Sequence, residues 1–260
     1  MSSSKLQNKV FISTRPKGKS EDLKRWFAEE GATLLEFPMI EIQPVPLSGK
    51  MEKILKDLSR FDWLVFTSPN GVHCFFEQLK NIRGDFSLPE KIKIATVGKK
   101  TAAKLAPYGH SARFINHGQT GDEFAEELCE QVTDAQQVLL PVGNLARHLI
   151  EEKLAGKAKV VRLEVYQTIM PETFDTEVQK RIEADDYELM IFTSPSGIDN
   201  FIRLTEKQLT PSALRIACIG FTTAKAAGNY GIEPVLVASM SNSEGLMVAI
   251  ADHYNIAFNV

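Results

Sequence analysis

What repeats in this chain is a set of hydroxyls, amides and glycines. Phe66-Thr67-Ser68-Pro69-Asn70-Gly71 returns as Phe192-Thr193-Ser194-Pro195-Ser196-Gly197, 126 positions later, with five of six residues identical. Each copy closes an apolar run, Trp63-Leu64-Val65-Phe66 or Leu189-Met190-Ile191-Phe192, and opens an amphipathic one. That pattern is a strand, a tight polar turn and a helix. Thr and Ser can cap the helix, Pro suits its first position, and Gly lets backbone approach a ligand closely. Unpaired N–H groups and the positive end of the helix dipole then face whatever lies beyond the strand end. The chemistry this supports is recognition of anions by neutral donors. Thr67, Ser68, Asn70 and Gly71 in one copy, and Thr193, Ser194, Ser196 and Gly197 in the other, are the binding candidates. Each hydroxyl can equally serve as a helix cap, and the two roles are compatible.

A second glycine recurs at the end of a later strand in each half: Ile94-Ala95-Thr96-Val97-Gly98 and Ile216-Ala217-Cys218-Ile219-Gly220, the latter followed by Phe221-Thr222-Thr223. Gly98, Gly220, Thr222 and Thr223 therefore join the candidates, with the threonines also suited to capping. Arg15 and Arg147 follow the first strands of the two halves. Either suits a carboxylate, and either suits a solvated surface.

Other chemistries find little support. His73, His110, His117, His148 and His253 fall at no ligand spacing, so no metal site is expected. No G-x-x-x-x-G-K-(S/T) or G-x-G-x-x-G marks a nucleotide site, and no G-x-S-x-G marks a hydrolase. Cys74, Cys129 and Cys218 lie far apart; Cys129 and Cys218 sit in apolar patterns, as core residues do. Unpaired thiols fit a reducing compartment. A net charge of −3 provides no basic stripe for a phosphate backbone, which argues against nucleic acid. No signal-peptide pattern and no membrane-length apolar run are read, so the expected location is cytoplasmic.

The elements that must carry these residues alternate between strand and helix along all 260 residues. Lys9 to Ser13 reads as a strand, and Ser20 as the cap of a helix to Glu30, stopped by Gly31. Ala32 to Phe37 is a second strand. Pro38, Pro44 and Pro46 then break an extended stretch that cannot sit mid-sheet throughout, read as an interdomain linker. Helices follow over Lys50–Ser59, after each hexapeptide, from Thr120 to Gln131, over Leu145–Leu154, over Thr176–Ala184 and from Ser243. Further strands are Ile92–Gly98, a weak His110–Ile115, Gln137–Leu140, Lys159–Val165, Leu214–Gly220 and Val235–Val237. Tyr166 to Pro171 is a second linker. The alternation gives an α/β fold with parallel sheets.

The repetition reaches beyond the hexapeptides. Ile94-Ala95, Gly98, Thr101-Ala102 and Tyr108-Gly109 recur at an offset of 122 as Ile216-Ala217, Gly220, Thr223-Ala224 and Tyr230-Gly231. Gly31-Ala32-Thr33-Leu34-Leu35 faces Lys157-Ala158-Lys159-Val160-Val161 at 126. The chain is thus two copies of a five-strand unit, each interrupted by a linker after its second strand. If each copy closes on itself, the domains are 1–133 and 134–260. If the linkers cross side by side, one domain is continuous and the other is built from both ends. Periodicity does not choose between them.

Taken in order, the paired Thr-Ser-Pro-(Asn/Ser)-Gly turns, Thr14-Arg15-Pro16 after the first strand, Val165-Tyr166-Gln167-Thr168 and Ile219-Gly220-Phe221-Thr222-Thr223-Ala224 resemble the uroporphyrinogen-III synthases over essentially the whole chain. Phe221 departs from the family, many of whose members carry Pro there. The resemblance implies two flavodoxin-like parallel-sheet domains joined by a two-stranded linker. The expected partition is 1–39 with 170–260, 45–164, and a linker of 40–44 and 165–169, opening a cleft above the strand ends. It also implies a monomer without metal or cofactor, acting on a small-molecule linear tetrapyrrole and on neither nucleic acid nor membrane. The implied reaction cyclises hydroxymethylbilane, inverting its last ring, with Tyr166 donating a proton or hydrogen bond to the departing hydroxyl. A hinge aromatic is the other reading of Tyr166. The competing functional class is a two-domain, hinge-closing binding protein for a small anion.

Overall fold

In a computed structural model of the protein, residues 4–116, 120–205 and 209–258 are described. The first part of the chain forms β1 (Val10–Ser13), α1 (Glu21–Glu29), β2 (Thr33–Glu36), β3 (Glu41–Pro44) and α2 (Gly49–Lys56). It continues through β4 (Trp63–Phe66), α3 (Pro69–Arg83), β5 (Lys93–Thr96), α4 (Gly98–Ala103), β6 (Phe114–Ile115) and α5 (Gly121–Gln131). The next elements are β7 (Gln137–Gly143), α6 (Leu149–Lys153), β8 (Lys159–Ile169), α7 (Thr176–Glu183) and β9 (Leu189–Phe192). Last come α8 (Pro195–Thr205), β10 (Ile216–Cys218), α9 (Phe221–Gly228), β11 (Leu236–Val237) and α10 (Ser243–Tyr254).

The chain divides into two units, one drawn from Met1–Glu41 and Ile169–Val260, the other from Ile42–Thr168. The discontinuous unit holds a sheet of order β11-β10-β9-β1-β2, and the continuous unit one of order β3-β8-β7-β4-β5-β6. Counted from β1, the first sheet reads 2-1-3-4-5, the flavodoxin-like order. Counted from β7, the second reads the same way with β3 added at its edge. Each sheet therefore combines the first two strands of one repeat with the last three of the other. Among the described registers, every pair in both sheets is parallel.

Alternation along the central strands builds the cores. Leu64 and Phe66 of β4 join Met51, Leu55, Val72 and Phe75 on one face, whereas Trp63 and Val65 join Phe124, Leu128 and Ile150 on the other. In the discontinuous unit Met190 and Phe192 of β9 face α7 and α8, and Leu189 and Ile191 face α1 and α10. Both central strands are buried on both faces, as their unbroken apolar runs require. A buried Leu or Phe contributes about 1.5–3 kcal/mol, so these four clusters outweigh any single helix cap.

Several local expectations are corrected. Ser20 sits at the helix start but makes no capping bond; its Oγ pairs with Ser13 Oγ at 2.7 Å. The helix expected from Leu145 begins only at Leu149, because residues 144–148 are held as a loop. β7 runs past Leu140 through Pro141 to Gly143; its pairing with β4 ends at Leu139, so the missing Pro N–H interrupts no bond on that side. Residues 166–169 continue β8, and Glu41–Pro44 pairs beside it as an edge strand. The expected strand at His110 shrinks to Phe114–Ile115. Cys74 and Cys218 are buried, but Cys129 is only partly so.

Candidate active site

Because the strand pairs with described registers are parallel, the loops that follow those strands share one edge, where α/β folds bind ligands. In the continuous unit that edge carries Thr67–Gly71 after β4, Gly98 after β5, Arg147 after β7 and Tyr166 near the end of β8. In the discontinuous unit it carries Arg15 after β1, Thr193–Gly197 after β9, and Gly220, Thr222 and Thr223 after β10.

The hexapeptides form the same capped turn twice. Ser68 Oγ accepts from Gly71 N–H at 3.0 Å, and Ser194 Oγ accepts from Gly197 N–H at 3.1 Å. Pro69 has no N–H, and Val72 N–H already bonds Ser68 O. The uncommitted donors of the two first turns, among the described residues, are therefore the Asn70 and Ser196 N–H groups. Gly71 and Gly197 are themselves buried. A Cβ on Gly71 would sit 3.2 Å from Pro141 O, and one on Gly197 would sit 3.3 Å from Ser194 Oγ and 3.7 Å from Thr14 Oγ1. Both glycines are packed closely inside their own unit.

Other candidates separate by burial. Thr223 is 3% exposed, leaving Thr222 as the hydroxyl at the surface. Gly220 is buried where a Cβ would strike Ser241, and Gly98, at φ +66°, gives its N–H to Asn116 Oδ1 at 2.8 Å. Phe221 is 79% exposed beside Thr222. Arg15 is 7% exposed. Its Nη1 lies 3.1 Å from Ser243 Oγ, 3.2 Å from Lys19 O and 3.3 Å from Asp22 Oδ1. Burial holds this guanidinium below its ordinary pKa, with Asp22 opposing the shift. Its Nη1 is thus engaged inside its own unit, unlike the solvated surface arginine that was one of its two readings. Arg147 is the opposite case: its side chain is 69% exposed, with Nη2 3.5 Å from Asp122 Oδ2.

The continuous unit brings two of the candidate hydroxyls together. Tyr166 Oη lies 3.1 Å from Ser68 Oγ, so the turn serine touches both the helix N-terminus and the phenol. A cavity of about 240 Å³ lined by Thr67, Val97, Phe124, Val142 and Arg147 among others opens on the α5–α6 side of the same sheet; neither Ser68 nor Tyr166 lines it. Its walls are largely apolar, with a hydroxyl and a cation among them. Three residues not singled out from sequence complete the arrangement: Gly143, Asn144 and Arg162. Asn144 N–H donates to Tyr166 O at 3.2 Å, while its Oδ1 accepts from Thr168 N–H at 2.9 Å. The side-chain amide thereby extends the pairing of β8 beyond the end of β7. A glycine and an asparagine closing a strand were the available signal.

Among the described residues no three His, Cys, Asp or Glu side chains are grouped to hold a metal ion; His117 lies outside them. Burial pushes the Cys218 thiol up to about 12, which makes it a poor nucleophile. No described helix is long and apolar enough to cross a membrane.

Comparison with known proteins bears on what this edge does. A family model described as uroporphyrinogen-III synthase HemD matches residues 21–247. The porphyrin biosynthesis protein HemD of Ruminiclostridium josui is 30% identical over 240 residues, 92% of this chain and 47% of that protein. The chain thus spans about half the length of that relative. The uroporphyrinogen-III synthase of Chlorobaculum parvum is 28% identical over 247 residues, covering 94% of this chain and 98% of its own. The crystal structure of uroporphyrinogen-III synthetase from Helicobacter pylori 26695 shares the fold at a TM-score of 0.64 and 20% identity, over 92% of this chain and 97% of that one. A mutant uroporphyrinogen III synthase from the extremely thermophilic bacterium Thermus thermophilus does so at 0.62 and 17%, over 95% and 98%. With the family model matched from α1 into α10, the chain belongs to the uroporphyrinogen-III synthase family.

Proposed function

We propose that this chain cyclises hydroxymethylbilane with inversion of ring D and loss of water, giving uroporphyrinogen III in tetrapyrrole (haem) biosynthesis. Beyond family membership, the observation that carries the reading is the Tyr166 hydroxyl, bonded to Ser68 at a strand edge furnished with hydroxyls and amides. The substrate is a flexible chain of electron-rich pyrroles with carboxylates on its rim. Its terminal C–O bond breaks with the electron pair leaving on oxygen, and a proton donated by Tyr166 lets that oxygen depart as water. The resulting azafulvene cation is attacked by a ring carbon, ring D rearranges, and a ring proton is lost, restoring the pyrrole and returning one proton to the Tyr166 phenolate, which balances the step. Ionisation is intrinsically easy, so holding the right carbon over the cation is the larger part of the task.

Thr67, Ser68, Asn70, Arg147, Thr193, Ser194, Ser196 and Thr222 are assigned to the substrate's carboxylates. Arg15, Gly71, Gly98, Gly197, Gly220 and Thr223 support the turns that present them. On this reading the enzyme is a cytoplasmic monomer with no metal or organic cofactor. Its domains are 1–39 with 170–260 and 45–164, linked by 40–44 and 165–169; the pairing of edge strand β3 with β8 supports that linker. The test is to supply hydroxymethylbilane to the purified chain and resolve isomers I and III. Isomer III is expected. Isomer I alone, the product of unguided closure, would sink the proposal.

The paired serines give a control on the site. Ser68→Ala and Ser194→Ala each remove a helix cap, at a cost of about 1 kcal/mol, so their thermal midpoints should fall by similar amounts. Only Ser68 also touches Tyr166, so only Ser68→Ala should lower kcat beyond what lost stability explains. Equal kcat in two folded variants would detach Ser68 from the chemistry.

A further inference from the structure

The position of Tyr166 has structural causes that the reaction does not by itself supply. Strands β7 and β8 pair in steady register from Gln137↔Lys159 to Val142↔Glu164, then slip, so that Gly143 faces Tyr166 and Val165 is an extra residue on β8. Such a bulge re-aims the side chain that follows it. Strict alternation would send Tyr166 to the face opposite Val165, yet both pack against the cluster formed with α2 and α3. The phenol then rests on Gly143: a Cβ there would fall less than 3 Å from Cε2, Cζ and Oη. Gly143 is not among the glycines with positive φ. Its backbone does not need glycine; the ring does.

Arg162, four residues before Tyr166 on the same strand, fixes this floor. Its Nη2 donates to Ala146 O at 2.9 Å and to Gly143 O at 3.3 Å, and its Nη1 to Glu151 Oε1 at 2.9 Å. His148 Nδ1 lies 3.0 Å from the same carboxylate oxygen. The Arg162 and Glu151 side chains are 18% and 22% exposed, so the pair is shielded from solvent. One guanidinium thereby ties the 143–148 loop to the strand bearing the phenol, in a forked geometry that an ammonium does not reproduce.

We propose that Gly143 and Arg162 are positioning residues for Tyr166: the glycine is the seat of the phenol ring, and the arginine locks that seat to β8. The inference rests on the reading of Tyr166 as the hydroxyl's proton donor. The test uses the full chain labelled with 3-fluorotyrosine, with the Tyr166 resonance assigned by its loss in Tyr166→Phe. Gly143→Ala and Arg162→Met, each first shown to be folded by its thermal melt, should shift that resonance. They should lower kcat about tenfold, since misplacing a reacting group by about 1 Å can cost up to 10²-fold, while KM stays within about twofold. The Gly143→Ala/Tyr166→Phe double variant should be no slower than Tyr166→Phe alone, because both changes act through one hydroxyl. An unmoved resonance in folded Gly143→Ala, or a double variant that loses the product of the two single factors, overturns the proposal. If Tyr166→Phe is itself silent, the donor reading falls, and the resonance alone decides whether Gly143 seats the ring. Should Arg162→Met fail to fold, Gly143→Ala carries the same decision.

Discussion

Tyr166→Phe is expected to lower kcat by about 10²-fold while leaving the thermal midpoint nearly unchanged. The substitution removes one oxygen and keeps the ring, which still rests on Gly143 and packs beside Val165 and Leu163. The bond lost is the 3.1 Å contact with Ser68 Oγ. A neutral hydrogen bond contributes about 0.5–1.5 kcal/mol net, and this one is only partly buried, so the stability change belongs at the bottom of that range. Ser68 keeps its other bond to Gly71 N–H, and the helix remains capped. General acids contribute about 10²–10⁴-fold; a hydroxyl on an electron-rich pyrrole methylene leaves readily, which puts this case at the low end. KM should move less than about twofold, since the phenol is assigned to the departing group and not to the carboxylates. Wild-type turnover in a folded variant would reduce Tyr166 to an aromatic that packs the strand edge.

The α/β class and the duplication were legible because both are written in local pattern. A strand, a capped turn and a helix recur with the same residue types, and those types act over a few positions. Ser68 and Ser194 cap as their spacing predicts. Which sheet each strand joins is different information: β1 lies beside β9, and β7 beside β4, pairings across long stretches of chain that hydrophobic period does not encode. Ser20 shows a smaller failure of the same kind. Its type and place are those of a cap, but Ser13 offers its hydroxyl a tertiary partner.

At the site, residue type was legible and orientation was not. The repeated glycines signalled a tight place, and they occupy one; whether the crowding atom belonged to a ligand or to Pro141 depended on the neighbouring strand. The bulge at Val165 has no sequence mark, since Leu163, Val165 and Tyr166 read as ordinary strand residues. β7 also runs past the expected end at Leu140 to include Gly143. The consequence is chemical. A one-residue slip decides which face of the sheet receives the phenol.

The two arginines after the first strands of the repeats should respond in opposite ways to the same substitution. Arg15→Met removes a buried cation whose Nη1 meets Lys19 O, Asp22 and Ser243, and so loosens the junction of β1 with the N-termini of α1 and α10. Hydrogen bonds to charged groups contribute about 1.5–3 kcal/mol. Asp22 is itself 44% exposed and can rehydrate, which keeps the total loss near the cost of one such bond, about 2–3 kcal/mol. For a protein of this size that lowers the thermal midpoint by roughly 5–10 °C, with KM little changed in the folded fraction. Arg147→Met removes an exposed cation whose ion pair to Asp122 is 3.5 Å long, and surface pairs of that kind contribute about 0–1 kcal/mol. Its midpoint should hold. If Arg147 meets a substrate carboxylate beside the cavity it lines, KM should instead rise about tenfold, the equivalent of ~1.4 kcal/mol. Added salt should shrink the gap between Arg147→Met and the parent, because exposed charges are screened within about 10 Å at 0.1 M. Thermal melts and KM at two ionic strengths separate the pair. A raised KM with an unshifted midpoint in Arg15→Met would show that its internal bonds open to receive substrate, and would return Arg15 to the binding surface.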